Sequence, residues 1–261
     1  MPTIFSIRPL FLVMALVTLL SACESAEEKA EGYYQSALSL IEEGDYDRAI
    51  VEIRNVFELN SAHQEARRAL AEIMLNQKGN RRAAYREYLR LAEQYPEDLD
   101  ARINLSELAF VSSNWPELER HGARAQEIGA GNARVEIIST ALDYRQAVVD
   151  EDEAARRDQA RRATSQLSET PESRILRDII TDSYVRDGNI TDALASLEWL
   201  IDRDPQNMLY WRQRLNLLAQ NNDLEGIEAQ LKDMIQRFPD NVETKQMLLR
   251  FYISRHRVDE A

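Results

Sequence analysis

Cysteine, histidine and glycine are scarce in this sequence, and their scarcity excludes several kinds of active site. The single cysteine, Cys23, rules out an intramolecular disulfide and a Cys-x-x-Cys metal site. The three histidines, His63, His121 and His256, are dispersed and form no His-Glu-x-x-His motif. The eight glycines form neither a phosphate-cradling run nor a Gly-x-Ser-x-Gly elbow. We therefore expect no metal site, no cofactor and no enzymatic activity in these 261 residues.

Basic residues are also in short supply, with 32 lysines and arginines against 45 acidic residues and a formal net charge of −13. A nucleic-acid-binding domain usually carries a basic footprint, so no nucleic-acid partner is expected. Docking on anionic lipid needs basic clusters as well. The charge balance instead indicates a well-solvated acidic surface.

Glycine and proline, although few, recur at a fixed period. Gly44 and Gly79 lie 35 residues apart, and Pro171, Pro205 and Pro239 lie 34 residues apart. Each glycine follows an apolar helical run, where a residue in the left-handed conformation ends a helix at least steric cost. Each proline follows a second run and stops that helix. The period therefore predicts helix–turn–helix repeats of about 34 residues.

These residues resemble the tetratricopeptide repeat. The first repeat matches at Tyr33, Ala37, Leu40, Gly44, Tyr46, Ala49, Ile53 and Leu59, and the second, which needs one extra residue, at Ala71, Met74, Gly79, Ala84, Tyr88, Leu91 and Pro96. The third repeat keeps Leu105, Ser106, Trp115 and Ala125 but has Leu118 where the family prefers alanine. The fifth keeps Thr181, Tyr184, Gly188, Ala193, Leu197 and Pro205, and the sixth keeps Trp211, Leu218, Leu231 and Pro239.

The resemblance implies an all-α fold, a right-handed α-solenoid of about six and a half repeats. Small residues at mid-helix positions would let the two helices of a repeat approach to about 8 Å. They are Ala37, Ala71, Ser106 and Thr181 on first helices and Ala49, Ala84 and Ala193 on second helices. The expected repeats span about 30–63, 64–98, 99–132, 133–173, 174–207, 208–241 and an incomplete 242–261. Because the last repeat is incomplete, we expect a longer natural protein or a fragment.

The first 22 residues have the pattern of an export signal. Arg8 precedes an apolar run from Leu10 to Leu20, which is short for a bilayer-spanning helix. Leu20-Ser21-Ala22-Cys23 resembles a bacterial lipobox, which implies cleavage before Cys23 and acylation of its sulfur. Glu24 stands where an aspartate would signal inner-membrane retention, so the outer membrane is favoured.

Residues 23–29 are then a lipidated cysteine and a short tether before the repeats. Within them, Ser25-x-x-Glu28 has capping-box spacing, so the first helix is expected to begin very close to the anchor. The body would face the periplasm.

The charged run at residues 150–158 predicts a solvated helix surface. Asp152 with Arg156, Glu153 with Arg157, and Asp158 with Arg162 are each four residues apart with the acid first, the stabilising order on a helix. We therefore expect these pairs to face solvent.

The resemblance places a partner-binding groove on the first helices, at positions i, i+4 and i+7. The candidate groove residues are Tyr34, Arg68, Glu72, Glu107, Asp178, Asp182, Arg212, Asn216 and Arg250, beside apolar neighbours Leu38, Ile41, Phe110 and Val185. A mixed lining of this kind suits an extended peptide or a partner helix.

The sequence thus indicates a lipid-anchored, periplasm-facing scaffold for protein or peptide partners. It resembles the repeat lipoproteins of envelope polymer-export and exosortase-type sorting systems. Two alternatives remain open, namely a lipoprotein of the outer-membrane β-barrel assembly type and a repeat region that delivers an enzyme domain beyond residue 261.

Overall fold

The computed structural model describes residues 25–257 and residue 259, and within them it contains thirteen α-helices and no strand. The bounds are α1 Ala26–Glu42, α2 Tyr46–Leu59, α3 Gln64–Glu72, α4 Arg81–Gln94, α5 Leu99–Val111, α6 Trp115–Ile128, α7 Ala133–Val149, α8 Glu153–Glu169, α9 Arg174–Arg186, α10 Ile190–Arg203, α11 Met208–Gln220, α12 Leu224–Arg237 and α13 Val242–Ser254. The helices follow one another in pairs joined by short turns, and α13 is the first helix of a seventh pair. The predicted fold class, an all-helical array of two-helix repeats, is confirmed.

Within each repeat, the turn between the two helices has one local design. A residue with positive φ is followed at once by an asparagine or aspartate that precedes the second helix. Three of these residues are the glycines Gly44, Gly79 and Gly188. In the third, fourth and sixth repeats Ser113, Glu151 and Asn222 take the same left-handed conformation. In all but one repeat the following side chain accepts a backbone N–H of the helix that begins there; these caps are Asp45, Asn80, Asp152, Asn189 and Asp223.

Helix α1 begins inside the stretch expected to be a tether. Ser25 caps it by accepting the Glu28 backbone N–H at 3.1 Å, and the Glu28 carboxylate accepts the Ser25 backbone N–H at 2.8 Å. The capping box satisfies two N–H groups that a helix start otherwise leaves unpaired. Residues 1–24, with the export signal, the lipobox and Cys23, lie outside the described residues.

The chain divides into two compact units at residues 109 and 110. In the N-terminal unit Ala37, Ala49, Ala71 and Ala84 are completely buried, and in the C-terminal unit Ala193 is. Ser106 and Thr181, the remaining predicted contact positions, are buried as well. Burial of small residues at these positions lets helix backbones approach closely. Larger buried side chains fill the space between the helices, among them those of Ile53, Leu91, Leu197 and Leu200.

The extra residue of the second repeat is accommodated by a π-helical turn. Helix α3 continues into Ile73–Gln77, where the Lys78 backbone N–H bonds to the Ile73 carbonyl at 3.0 Å, five residues back. A π turn inserts one residue without breaking the helix, which keeps the apolar residues on both sides facing the core.

The charged run at residues 150–158 is exposed, as its spacing predicts, except at Ala155 and Arg156. Asp152 caps α8, and Arg156 is 1% exposed. Its guanidinium donates to Ser183 Oγ at 2.9 Å, to Asp187 Oδ1 at 2.6 Å and to Glu153 Oε2 at 2.7 Å. The expected pairs are therefore wrong, because this face of α8 meets the end of α9, which supplies two of the three partners.

The other two expected pairs are replaced as well. Arg157 pairs at 3.1 Å with Asp187, the residue that follows α9, and Arg162 pairs at 2.7 Å with Glu136 on α7. Asp158 pairs with Arg161, three residues on. The Asp158–Arg161 pair lies within α8, whereas the other two pairs join α8 to neighbouring parts of the chain.

No helix in the described part of the chain combines the length and the apolar character needed to cross a bilayer.

In the third repeat Leu118 replaces the expected alanine, and a glycine nearby gives a close approach to the fourth repeat. Leu118 is buried, and one turn later Gly122 on α6 faces α7. A Cβ at Gly122 would lie 3.0 Å from both Ile138 Cγ2 and Leu142 Cδ1. A side chain at position 122 would therefore require Ile138 and Leu142 to shift.

Replacing Gly122 by leucine is expected to destabilise the C-terminal unit. The added side chain must displace Ile138 and Leu142, and overpacking of this kind lowers the free energy of unfolding by about 1–3 kcal/mol. Urea denaturation would measure the change. The adjacent and exposed Ala123, replaced by leucine, should stay within about 0.5 kcal/mol of the wild type. Equal stabilities for the two variants would contradict this packing account.

Candidate functional site

The C-terminal unit contains an open groove of about 380 Å³, here called the C-terminal groove. It runs across the first helices of the fourth, fifth and sixth repeats, α7, α9 and α11, and reaches the end of α5. Its lining includes the apolar side chains of Phe110, Trp115, Val148, Val185, Leu209 and Leu217 and the polar side chains of Tyr144, Arg145, Asp178, Asp182, Gln213 and Asn216. Such a mixture of apolar area with a few convergent polar groups is typical of a binding site.

Two tyrosine–aspartate hydrogen bonds join the helices that form the groove. Tyr144 Oη on α7 donates to Asp182 Oδ2 at 2.7 Å, and Tyr210 Oη on α11 donates to Asp178 Oδ2 at 3.0 Å. Burial raises the pKa of both phenols, that of Tyr210 to about 12. Both therefore remain protonated donors near neutral pH, and α9 is held to both of its neighbours.

The two aspartates differ in how their charge is balanced. Asp182 accepts Arg186 Nε at 2.6 Å in an ion pair. Asp178 forms no ion pair among the described residues, and burial raises its pKa to about 7, although the Tyr210 hydrogen bond and the positive charge of Arg174 oppose the rise. Loss of water disfavours the charged form of a carboxylate, so Asp178 is partly protonated at neutral pH.

The end of the groove next to α5 and α6 is aromatic. Phe110 and Trp115 meet edge to face with ring centroids 6.0 Å apart. The Arg145 guanidinium lies 4.8 Å from the Trp115 ring centroid, in a cation–π contact. This end of the groove therefore offers apolar surface, and the guanidinium of Arg145 already contacts the Trp115 ring.

Along α11 the groove presents amide side chains. Gln213, Asn216 and Gln220 lie on one face of the helix and are exposed. An amide group both donates and accepts hydrogen bonds, which matches the backbone of an extended peptide.

A second groove, of about 320 Å³, lies in the N-terminal unit between α1 and α3. Its lining includes Tyr34, Leu38, Ile41, Arg68, Glu72, Asn76 and Gln77, the last two from the π-helical turn. Arg68 is engaged by Asp98 at 2.8 Å and by Asp100 at 3.4 Å. Burial raises the pKa of Glu72, while the nearby Arg68 opposes the rise. The charged groups of this groove are thus largely balanced within the chain.

The structure brings six of the nine sequence-predicted groove residues into these two sites. Tyr34, Arg68 and Glu72 line the N-terminal groove, and Asp178, Asp182 and Asn216 line the C-terminal groove. The other three, Glu107 on α5, Arg212 on α11 and Arg250 on α13, line neither. Arg212 instead pairs with Glu243 at 2.5 Å.

Sequence reasoning missed the contribution of the fourth repeat. Ala141, Arg145 and Val148 on α7 line the groove at i, i+4 and i+7, the spacing used for the other repeats. On α11 the same spacing begins at Leu209 rather than at Arg212, and runs through Gln213 and Asn216. The i, i+4 and i+7 spacing of these residues was therefore present in the sequence of both helices.

No group of three or more histidine, cysteine, aspartate or glutamate side chains in the described ranges is arranged to hold a metal ion.

Comparison with known proteins agrees with this geometry. Residues 40–103 and residues 182–242 each match a family model described as tetratricopeptide repeat. Both of these segments carry tetratricopeptide repeats. No curated protein sequence gives a significant match.

Solved structures similar to this one share its repeat architecture at low sequence identity. A tetratricopeptide repeat protein from Parabacteroides merdae has 10% identity and a TM-score of 0.53, with 88% of each chain covered. PilW, a type IV pilus biogenesis factor, has 14% identity and a TM-score of 0.51 over 84% of this chain and 98% of its own. A chain of the APC/C heterotetramer Cut9–Hcn1 has 8% identity and a TM-score of 0.60 over 92% of this chain and 46% of its own. At these identities the similarity establishes the fold alone.

Replacing Asp178 by asparagine should change how stability depends on pH. The pKa of Asp178 is about 7 in the folded chain against an ordinary value of 3.8, so between these values the folded chain holds a proton that the unfolded chain has lost. This group therefore makes the wild type less stable as pH rises from about 4 to 7, with no further loss above that range. The wild-type unfolding free energy minus that of Asp178→Asn should fall over this interval, as measured by urea denaturation.

Asp233→Asn, an exposed replacement on α12, is the control and should show no such trend. A difference between wild type and Asp178→Asn that stays constant with pH would contradict the burial of this carboxylate.

Proposed function

We propose that this protein is a lipid-anchored, periplasm-facing scaffold that binds partner proteins or peptides through the C-terminal groove. The observation that carries the proposal is the groove itself, an open site of about 380 Å³ whose walls come from four consecutive repeats. Its role is to hold partners during envelope assembly, export or sorting, without catalysing a reaction.

The chemistry of the groove fits an unfolded segment of a partner. Apolar side chains such as Leu209 and Val185 are 52% and 40% exposed and line the same groove, so an apolar side chain of a partner can contact them there. The amides of Gln213 and Asn216 can pair with a peptide backbone. Together they favour an extended segment whose side chains pack on the apolar wall and whose backbone forms hydrogen bonds with the amides of α11.

The membrane half of the proposal rests on the sequence before Ser25. The lipobox ends at Cys23, and α1 begins at Ala26, three residues later. With so little chain between the lipid and the helix, the repeats would begin at the membrane surface. Glu24 in the sorting position favours the outer membrane. PilW, which has the same fold, serves pilus biogenesis, so an assembly role is compatible with this architecture.

A charge placed in the C-terminal groove should abolish partner binding. Val185→Arg puts a guanidinium on an exposed apolar wall residue of the groove, where an apolar partner side chain would have to desolvate it. Proteins that copurify with the full chain from a Gram-negative host should be lost from this variant. Mass spectrometry would identify them.

Val242→Arg makes the same substitution at a valine that is 63% exposed and outside both grooves, and its set of partners should match that of the wild type. Retention of every partner by Val185→Arg would remove the groove from the proposal.

Replacement of Cys23 by serine should remove the anchor. The wild-type chain is expected to incorporate an alkyne-tagged fatty acid and to fractionate with membranes, since multiple acyl chains give stable anchoring. The variant should do neither, because serine lacks the sulfur that is acylated. A Cys23→Ser chain that is still labelled would show that the lipid is attached elsewhere.

A further inference from the structure

Asp178 stands out among the charged groups of the C-terminal groove because it forms no ion pair within the described residues. Asp182 is paired with Arg186, and Arg145 lies over the Trp115 ring. Arg174, one turn before Asp178 on α9, donates to Asp204 at 2.8 Å. The groove therefore holds one carboxylate whose cation would have to come from outside.

The geometry of Asp178 leaves one oxygen available to a ligand. Oδ2 accepts the Tyr210 hydroxyl at 3.0 Å, which fixes the carboxylate at the groove wall. Oδ1 has no hydrogen-bond partner in the described chain, and it is not among the polar atoms sealed from solvent without a partner. A group that enters the groove can reach this oxygen.

We propose that the C-terminal groove selects partner segments carrying a lysine or arginine side chain, which Asp178 binds, next to a bulky apolar side chain received by Phe110 and Trp115. This inference rests on the proposed function and names the chemistry of the segment that the groove accepts. Complementarity of charge over the whole molecule points the same way, since the chain carries a net charge of −13 and attracts basic partners.

The physical reason is the cost of a partly buried carboxylate that forms no ion pair within the described residues. Without a ligand, burial favours the neutral acid, as the raised pKa of Asp178 indicates. A bound ammonium or guanidinium within about 4 Å favours the ionised form and completes a charge-assisted hydrogen bond to Oδ1. A neutral side chain at the same place gains neither interaction.

A random dodecapeptide phage library panned against the full chain in mild detergent tests the inference. The same library is panned against Asp178→Asn and against Asp233→Asn, which removes the same charge at an exposed position on α12. Peptides recovered on the wild type and on Asp233→Asn should share one lysine or arginine and one aromatic or large aliphatic residue, and they should not be recovered on Asp178→Asn. Peptides that bind the wild type but not the Val185→Arg variant are those that bind in the groove.

Synthetic peptides from this pool then measure the effect. Replacing the shared lysine by norleucine should weaken binding at least about tenfold on the wild type and much less on Asp178→Asn, because a charge pair that is truncated on one side loses its attraction. Peptides that bind in the groove without a shared basic residue would overturn the inference and leave the proposed function standing. Failure to recover any peptide sensitive to Val185→Arg would count against both.

Discussion

Close contact between helix backbones at small residues is the constraint on which the rest of the structure depends. Ala37, Ala49 and Ala84 are completely buried in the N-terminal unit, and Ala193 is in the C-terminal unit. Between the third and fourth repeats Gly122 gives another close approach, with side chains of α7 3.0 Å from where its Cβ would be. Repeats of this kind bury their apolar faces only against neighbouring repeats. Close packing of the helices therefore also fixes the position of the exposed face of each first helix.

The C-terminal groove follows from that placement. Because α7, α9 and α11 are successive first helices, side chains separated by about one repeat come together, as Tyr144 does with Asp182 and Tyr210 with Asp178. The two hydrogen bonds align the helices and position one carboxylate with a free oxygen. A site with aromatic area, exposed amides and a single unbalanced charge then results from repeats that differ only in the residues they carry at equivalent positions.

Much of this fold is readable from the sequence, because its turns and contact positions are marked by residue types with narrow conformational roles. Gly44, Gly79 and the periodic prolines predict the repeats, and the alanines predict the contacts. The fourth repeat carries none of the residues on which the resemblance to the repeat family rests, so its groove residues on α7 were missed. The burial of Arg156 was also missed, because a charge pattern within one helix does not reveal which face meets α9. The unpaired state of Asp178 depends on side chains from three helices and is visible only in the structure.

Site-specific photocrosslinking tests most directly the claim that the C-terminal groove is the surface that partners occupy. A photoreactive amino acid would replace Gln213, which lines the groove on α11, or Glu198, which is exposed on α10 outside it. Irradiation of cells that express each full-length variant should give partner adducts from position 213 and none from position 198. Adducts at position 198 alone, or equally at both positions, would contradict the account.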